Sequence, residues 1–259
     1  MKVGAYQFSV SGNIGKNLDI IRKAVVQAFV EGVDLLVFPE CALTGYPPYD
    51  IENSSSVDFD KVVSACETLQ NLASNYAMYL IVGTITKEDD RYYNSTLLFS
   101  PSGEIGSYHK RALWGWDRDN FSIKNSSGVF DIHGWKVGVR ICFEVRFPEF
   151  FRELYKENTE LNILLFYDVS EQDSIGRYEL IKSHIRTRAV ENVTYTLSVD
   201  TITPYQTAPT ALYSRSGRSL AELERNKEGL LVYDLEKTPL DFGENGRKEI
   251  SDWLTAEFN

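Results

Sequence analysis

Short, nearly continuous apolar runs recur along the chain, and they are typical of strands buried on both faces. The clearest runs are residues 33–38, 79–84, 137–142 and 162–166. Apolar residues at helical spacing lie between several of these runs, over residues 17–31, 62–76 and 177–192. This alternation of strands and helices predicts an α/β fold.

Other strands are expected to pair through turns. Residues 94–100 and 105–110 flank a four-residue turn, and residues 129–132 and 135–142 flank a His-Gly pair. Four more strands are predicted at residues 3–8, 195–199, 210–214 and 229–235. Hairpins mixed with helical crossovers predict a sheet with parallel and antiparallel pairs. We expect helices to cover one face of this sheet and another layer to cover the other face.

Length and composition suit one large globular domain. The chain has 259 residues, of which 43% are hydrophobic and 25% charged, and no linker interrupts it. We therefore expect a single domain over residues 1–259. Its tail, from about residue 238, is polar apart from Trp253, Leu254 and Phe258.

Charge and cysteine content narrow the choice of partners and location. The net charge of -10 argues against a nucleic acid or an anionic membrane as partner, because lysine and arginine recognise both. Three cysteines, Cys41, Cys66 and Cys142, are too few for a disulfide framework and indicate a reducing compartment. The sequence shows no signal-peptide core and no apolar window of membrane-spanning length. We expect a cytoplasmic protein.

Three reactive side chains, Glu40, Lys110 and Cys142, stand at the ends of predicted strands. Attack on an amide requires a thiolate, a base that takes the thiol proton and a cation that stabilises the developing negative charge. Glutamate, cysteine and lysine can supply these roles. Each residue alone has a simpler explanation, since a lone cysteine is commonly a buried hydrophobe and the other two could form a solvated ion pair.

The motifs around these residues resemble those of the nitrilase, or carbon–nitrogen hydrolase, superfamily. The segments 38–40 (Phe-Pro-Glu), 108–110 (Tyr-His-Lys) and 141–149 (Ile-Cys-Phe-Glu-Val-Arg-Phe-Pro-Glu) occur in the order of that family. Residues 43–46 and 188–192 are similar to two further motifs of the family. The resemblance extends from the first strand to about Leu235.

This resemblance implies a four-layer α-β-β-α sandwich with two mixed sheets. It also implies hydrolysis of a non-peptide carbon–nitrogen bond without a metal or organic cofactor. Glu40 would then be the general base, Lys110 the oxyanion stabiliser and Cys142 the nucleophile, with the backbone N–H of Phe143 as a second oxyanion donor. A nucleophile of low pKa would react with iodoacetamide faster than the other two cysteines.

The chain departs from the family in the loop after Lys110. Most members carry an additional glutamate there, and this loop has none. Asp117 is the nearest match and Asp119 the second. Trp114 and Trp116, in the same loop, are predicted either to line the mouth of the pocket or to pack against their neighbours.

The resemblance favours an amidase that releases ammonia from a small amide, and residues 146–149 are most similar to the ω-amidase-like branch. A nitrilase, an N-carbamoyl hydrolase and a non-catalytic relative remain alternatives. Arg146 could bind a carboxylate of the substrate, or a structural carboxylate such as Glu144 or Glu149.

A homodimer or larger homo-oligomer is expected, because the helix after the nucleophile is rich in aromatic residues. Those residues are Phe147, Phe150, Phe151 and Tyr155. The resemblance implies that members pair through this helix and a C-terminal segment, here the tail near Trp253.

Overall fold

The computed structural model describes residues 1–257, and within this range it contains fourteen strands and six α-helices. The strands are β1 (Lys2–Gln7), β2 (Leu35–Val37), β3 (Tyr79–Glu88), β4 (Arg91–Phe99), β5 (Ile105–His109), β6 (Val129–Ile132), β7 (Trp135–Ile141), β8 (Leu161–Leu165), β9 (Val169–Ser170), β10 (Tyr195–Val199), β11 (Tyr205–Gln206), β12 (Ala211–Tyr213), β13 (Ser219–Glu222) and β14 (Gly229–Asp234). The helices are α1 (Ile14–Val30), α2 (Phe59–Asn75), α3 (Trp116–Asn120), α4 (Pro148–Lys156), α5 (Ile175–Asn192) and α6 (Phe242–Glu257).

Two six-stranded sheets form the centre of the molecule. The first has the order β14-β1-β2-β3-β4-β5, and the second has the order β13-β12-β10-β8-β7-β6. Strands β1, β2 and β3 are parallel, as are β7, β8 and β10, while the outer strands of both sheets pair antiparallel. Both sheets are therefore mixed, as predicted.

The sheets pack face to face, and helices cover their outer faces. Leu35 and Val37 of β2 share one buried cluster with residues of the second sheet such as Val139. Leu36 points the other way into the cluster beneath α1 and α2. Helices α4 and α5 cover the second sheet through Phe151 and Ile185, among others. The fold is a four-layer α-β-β-α sandwich, which confirms the predicted class. A strand buried on both faces has apolar residues at every position, which explains the continuous runs.

Three helices begin at side-chain caps. Asn13, Asp58 and Ser174 each accept a hydrogen bond from the backbone N–H three residues later, at the starts of α1, α2 and α5. Such caps satisfy N–H groups that have no partner within the helix. Helix α1 consequently starts three residues earlier than its apolar spacing predicted.

Two segments for which no helix was predicted contain helices. The polar loop after Lys110 includes α3, and the predicted polar tail includes α6. Tyr155 anchors α6, because its hydroxyl donates to the side chain of Asp252 and lies 3.1 Å from the carbonyl of Lys248. Phe258, which belongs to the predicted tail, lies outside the described residues. No helix within residues 1–257 is long and apolar enough to cross a membrane.

Candidate active site

Cys142 stands where strand β7 ends and a short 3-10 helix (Cys142–Arg146) begins. Its φ angle is +45°, in the left-handed region that side chains with a Cβ rarely occupy. Such a conformation costs on the order of 1–3 kcal/mol and persists only where the surrounding structure enforces it. The second residue of this helix is Phe143, whose N–H has no partner within the helix.

Glu144 fixes this turn to the neighbouring strand end. Its side chain is fully buried and accepts three hydrogen bonds, each 2.7 Å long. The donors are the hydroxyl of Tyr108 and the backbone N–H groups of Arg111 and Ile141. Arg111 follows Lys110 and Ile141 precedes Cys142, so one buried carboxylate sets the positions of both segments.

Arg188 of α5 supports the same turn from the other side. Its Nε donates to the carbonyl of Val145 at 2.9 Å, and its guanidinium pairs with Glu191 one helical turn later. This contact gives a structural reason for the motif at residues 188–192.

A buried network of three charged groups lies at the centre of the site. The Nζ atom of Lys110 is 2.8 Å from Oε1 of Glu40 and 2.8 Å from Oδ2 of Asp117. The hydroxyl of Tyr46 donates to Oδ1 of Asp117 at 2.8 Å. All three charged side chains are at most 5% exposed. Asp119 is exposed, so of the two aspartates Asp117 occupies the position beside the lysine.

Two further groups orient Glu40. The side-chain amide of Asn94 donates to Oε1 at 2.6 Å, and the backbone N–H of Tyr167 donates to Oε2 at 2.8 Å. The loop that carries Glu40 also runs very close to Gly83 of β3. A Cβ on that glycine would lie 2.2 Å from the carbonyl oxygen of Pro39, so only glycine permits this approach.

Burial determines the protonation behaviour of the network. It raises the pKa of Glu40, an effect that Asp117 strengthens and Lys110 opposes. Burial alone would lower the pKa of Lys110, but the two carboxylates hold it well above its usual range. Lys110 is therefore a cation and not a base. Burial and the charge of Glu40 raise the pKa of the Cys142 thiol well above its usual range. This direction is opposite to that of the low-pKa nucleophile considered from the sequence, because burial and a nearby carboxylate both oppose ionisation of the sulfur.

A cavity of about 160 Å³ opens onto these groups. Stacked tyrosines form part of its wall, with the rings of Tyr46 and Tyr167 4.9 Å apart. Trp114 and Trp116 also line it, and each is more than half exposed. Other residues around the cavity include Lys110, Asp117, Cys142, Phe143, Arg146, Asp168 and Arg177. Larger cavities exist elsewhere, but the charged network and Cys142 lie at this one.

Arg146 lines the cavity and stacks on the ring of Phe143, with its guanidinium carbon 5.7 Å from the ring centroid. Glu144 is already bonded to other donors, and no ion pair joins Arg146 to a carboxylate within the described residues. A structural pair with Glu144 or Glu149 is therefore not formed.

The predicted aromatic face on α4 is smaller than expected. Phe151 is fully buried and Tyr155 is 8% exposed, because the helix turns these rings toward the second sheet and α6. Phe147 is exposed and Phe150 is half-buried.

Sequence reasoning missed several residues of the site. Asn94 and Tyr167 orient Glu40, and Asp168 and Arg177 line the cavity. Tyr46 lay in a motif that was noted without a role for its hydroxyl. The available signal was position, because polar residues at the ends of strands that neighbour the predicted catalytic strands are candidates for the same site. Within residues 1–257, no group of three or more histidine, cysteine, aspartate or glutamate side chains could hold a metal ion.

Two mixed sheets lie between helical layers, and a cysteine and a buried lysine–carboxylate network lie at their strand ends. This arrangement defines a class of hydrolytic enzymes. Residues 2–238 match the model of the carbon–nitrogen hydrolase family, and the chain belongs to that family. It is a carbon–nitrogen hydrolase of the amidase and nitrilase type. The family resemblance predicted from the motifs is thus confirmed.

The curated relatives include a nitrilase and amidases. A nitrilase from Pyrococcus abyssi is 29% identical, with 72% of this chain and 69% of the relative covered. An omega-amidase from Xenopus tropicalis is 28% identical, with 75% and 72% covered. A 2-oxoglutaramate amidase from Bacillus subtilis is 28% identical, with 73% and 72% covered.

A solved structure of an amidase from Nesterenkonia sp. has the same fold. Its TM-score is 0.81 at 24% identity, and the alignment covers 98% of this chain and 96% of the amidase. A variant of that amidase, at 23% identity and a TM-score of 0.81, carries a covalent acetamide moiety on its active-site cysteine. This alignment covers 91% of this chain and 90% of the variant.

Proposed function

We propose that this enzyme hydrolyses a small amide through an acyl-enzyme on Cys142 and releases ammonia and a carboxylic acid. The observation that carries the proposal is the buried network of Glu40, Lys110 and Asp117 around a cavity that also contains Cys142. Because the cavity is only about 160 Å³, the amide is small.

In the first half-reaction the sulfur of Cys142 attacks the amide carbon while its proton passes to Glu40. The raised pKa of Glu40 suits this transfer, since a base works best when its pKa lies near the working pH. The tetrahedral intermediate then collapses, the carbon–nitrogen bond breaks, and Glu40 returns the proton to the nitrogen. Ammonia leaves and a thioester remains.

Two donors stabilise the negative charge on the substrate oxygen. An ammonium group has three N–H donors, and Lys110 directs one of them to Oε1 of Glu40 while Asp117 forms an ion pair with it. A remaining N–H is available to the oxyanion. The N–H of Phe143 is the second donor, because it lies in the first turn of the helix that starts at Cys142.

In the second half-reaction a water molecule attacks the thioester. Glu40 takes a proton from this water, a hydroxyl group bonds to the acyl carbon, and the carbon–sulfur bond breaks. The proton returns to the sulfur of Cys142, and the carboxylic acid leaves. Asp117 keeps Lys110 in place and charged throughout the cycle.

Three substitutions test the assignment of roles. Cys142→Ala, Glu40→Gln and Lys110→Ala should each lower kcat by a thousandfold or more, on the order expected for groups that act as one unit. Cys66→Ala is the matched control, since Cys66 lies in α2 outside the site and should retain full activity. Near-normal turnover by Glu40→Gln would falsify the assignment of the base.

A panel of substrates distinguishes the amidase from its alternatives. Purified protein would be assayed for ammonia release from small amides, nitriles and N-carbamoyl compounds, and mass spectrometry would detect the acyl adduct on Cys142. Preference for amides supports the proposal. Preference for nitriles or carbamoyl compounds assigns the same triad to a nitrilase or an N-carbamoyl hydrolase, and activity on none assigns a non-catalytic role.

We further propose that residues 1–259 form one domain and that the enzyme works in the cytoplasm as a homodimer or larger oligomer. The exposed rings of Phe147 and of Trp253 near the C-terminus support the assembly. The absence of a disulfide framework among three cysteines supports the location.

A further inference from the structure

An arginine–carboxylate pair lies in the cavity outside the catalytic network. The Nε atom of Arg177 donates to Oδ1 of Asp168 at 2.8 Å, and its Nη2 atom donates to Oδ2 at 3.0 Å. Both residues line the cavity together with Cys142. An ionised Cys142 raises the pKa of Arg177, and the carboxylate of Asp168 raises the pKa of Cys142. The Arg177–Asp168 pair therefore lies within electrostatic range of the sulfur.

Asp168 is fixed from behind by buried groups. The hydroxyl of Thr207 donates to its carboxylate, and the backbone N–H of Thr207 donates to its carbonyl at 2.8 Å. The N–H of Asp168 donates to Oδ1 of Asp200 at 2.9 Å, while Oδ2 of Asp200 accepts from Ala208. Asp168 therefore holds a single position, and a two-point contact with it sets the plane of the Arg177 guanidinium.

The two partners differ in exposure in a way that points to a ligand. The side chain of Asp168 is 6% exposed, whereas that of Arg177 is 45% exposed. A pair that served only to join α5 to the end of β8 would not need its guanidinium at the wall of the cavity, where both residues lie. Here the carboxylate is hidden and the guanidinium faces the cavity, with Nη1 making no hydrogen bond to any described residue.

The charged groups at the cavity form two sets of opposite net charge. The network of Glu40, Lys110 and Asp117 has one more negative than positive group. Arg146, Arg177 and Asp168 have one more positive than negative group. Outside the catalytic network, the charged groups that line the cavity are therefore net positive in a chain of net charge -10, which favours an anionic group on a substrate whose amide faces Cys142.

We infer that Arg177 is a specificity-determining residue that binds a carboxylate of the substrate, and that Asp168 is the positioning residue that orients it. This inference rests on the proposed amidase function and adds to it the substrate class of short dicarboxylic acid monoamides. Arg146 lacks such an anchor, because it contacts Phe143 through the face of a ring.

The test compares matched anionic and neutral amides. Succinamate is paired with butyramide, and glutaramate with valeramide, and kcat and KM are measured for each. Arg177→Gln should raise KM for the anionic amides about 10- to 100-fold, as expected for the loss of charge-assisted hydrogen bonds. For the neutral amides KM should change less than about twofold, which corresponds to less free energy than one charge-assisted hydrogen bond contributes.

Four further variants complete the experiment. Arg177→Lys should lose part of the selectivity, because a point charge replaces a planar fork. Asp168→Asn should raise KM for the anionic amides in the same way, since the guanidinium loses its orientation. Arg146→Gln should reduce the selectivity less than Arg177→Gln does. Arg215→Gln is the control, because Arg215 also pairs with a mostly buried carboxylate, Glu244, but lies outside this cavity.

The inference is overturned if Arg177→Gln loses activity equally on anionic and neutral amides. It is also overturned if selectivity is lost in Arg146→Gln and not in Arg177→Gln. Thermal unfolding checks that each variant is folded.

If the wild type hydrolyses no amide, the proposed function fails, and binding tests Arg177 independently. Calorimetry of succinate and glutarate with Cys142→Ala protein, with and without Arg177→Gln, should show at least about tenfold weaker binding by the double variant. Equal affinities overturn the assignment.

Discussion

Replacing Asp117 with asparagine tests how the buried network controls the base. The substitution keeps the size of the side chain, and its amide can still pair with Tyr46. It removes one of the two negative charges that contact Nζ of Lys110 at 2.8 Å. At an effective dielectric constant of about 20, two unit charges about 5 Å apart repel by about 3 kcal/mol.

The direction of the effect follows from the electrostatics. Asp117 raises the pKa of Glu40, so its neutralisation lowers that pKa. Glu40 must be ionised to accept the thiol proton, and activity is lost as the pH falls through its pKa. The acid limb of the kcat/KM profile should therefore move to lower pH in Asp117→Asn. At the pH optimum, the loss of the buried ion pair that holds Lys110 in place should lower kcat/KM about 10- to 100-fold.

The assay is the pH dependence of ammonia release for the wild type, Asp117→Asn and Asp119→Asn. Asp119 lies two residues further along α3 and is exposed, so its variant controls for a general change in charge. An acid limb that stays in place or moves to higher pH would refute the reasoning. Equal effects of the two substitutions would also refute it, because only Asp117 contacts the lysine.

Three other predictions concern the turn, the thiol and the assembly. Glu144→Gln should lower the free energy of unfolding by about 2 kcal/mol, because the NH₂ group of glutamine is a donor and would face donors that now bond to the carboxylate. The exposed control is Glu149→Gln, and equal chemical denaturation curves for the two variants would contradict this prediction. Alkylation of Cys142 by iodoacetamide should keep accelerating well above neutral pH, as its raised pKa requires; a rate that is constant above pH 7 would count against this. Light scattering at micromolar protein should show a dimer or larger species, and a clean monomer would reject the assembly.

The sequence by itself determined the layered fold and the three residues at its strand ends. Strands buried on both faces require apolar residues throughout, so the runs at residues 33–38 and 137–142 were visible without a structure. The motif order marked Glu40, Lys110 and Cys142 as one set; in the structure they follow β2 and β5 of the first sheet and β7 of the second, and Lys110 contacts Glu40 while Lys110 and Cys142 line one cavity. Helix starts were less visible, since caps such as Ser174 act outside the apolar pattern.

Only the tertiary structure decided which aspartate pairs with Lys110. Asp117 and Asp119 are two residues apart, about 200° around a helix axis, so one is buried when the other is exposed. Their helix, α3, is too short for an apolar pattern to give its orientation. Asp168 and Arg177 likewise come together through contacts between a strand end and a helix. The pKa of Cys142 depends on burial and on the charge of Glu40, which are properties of the assembled site and not of the local sequence.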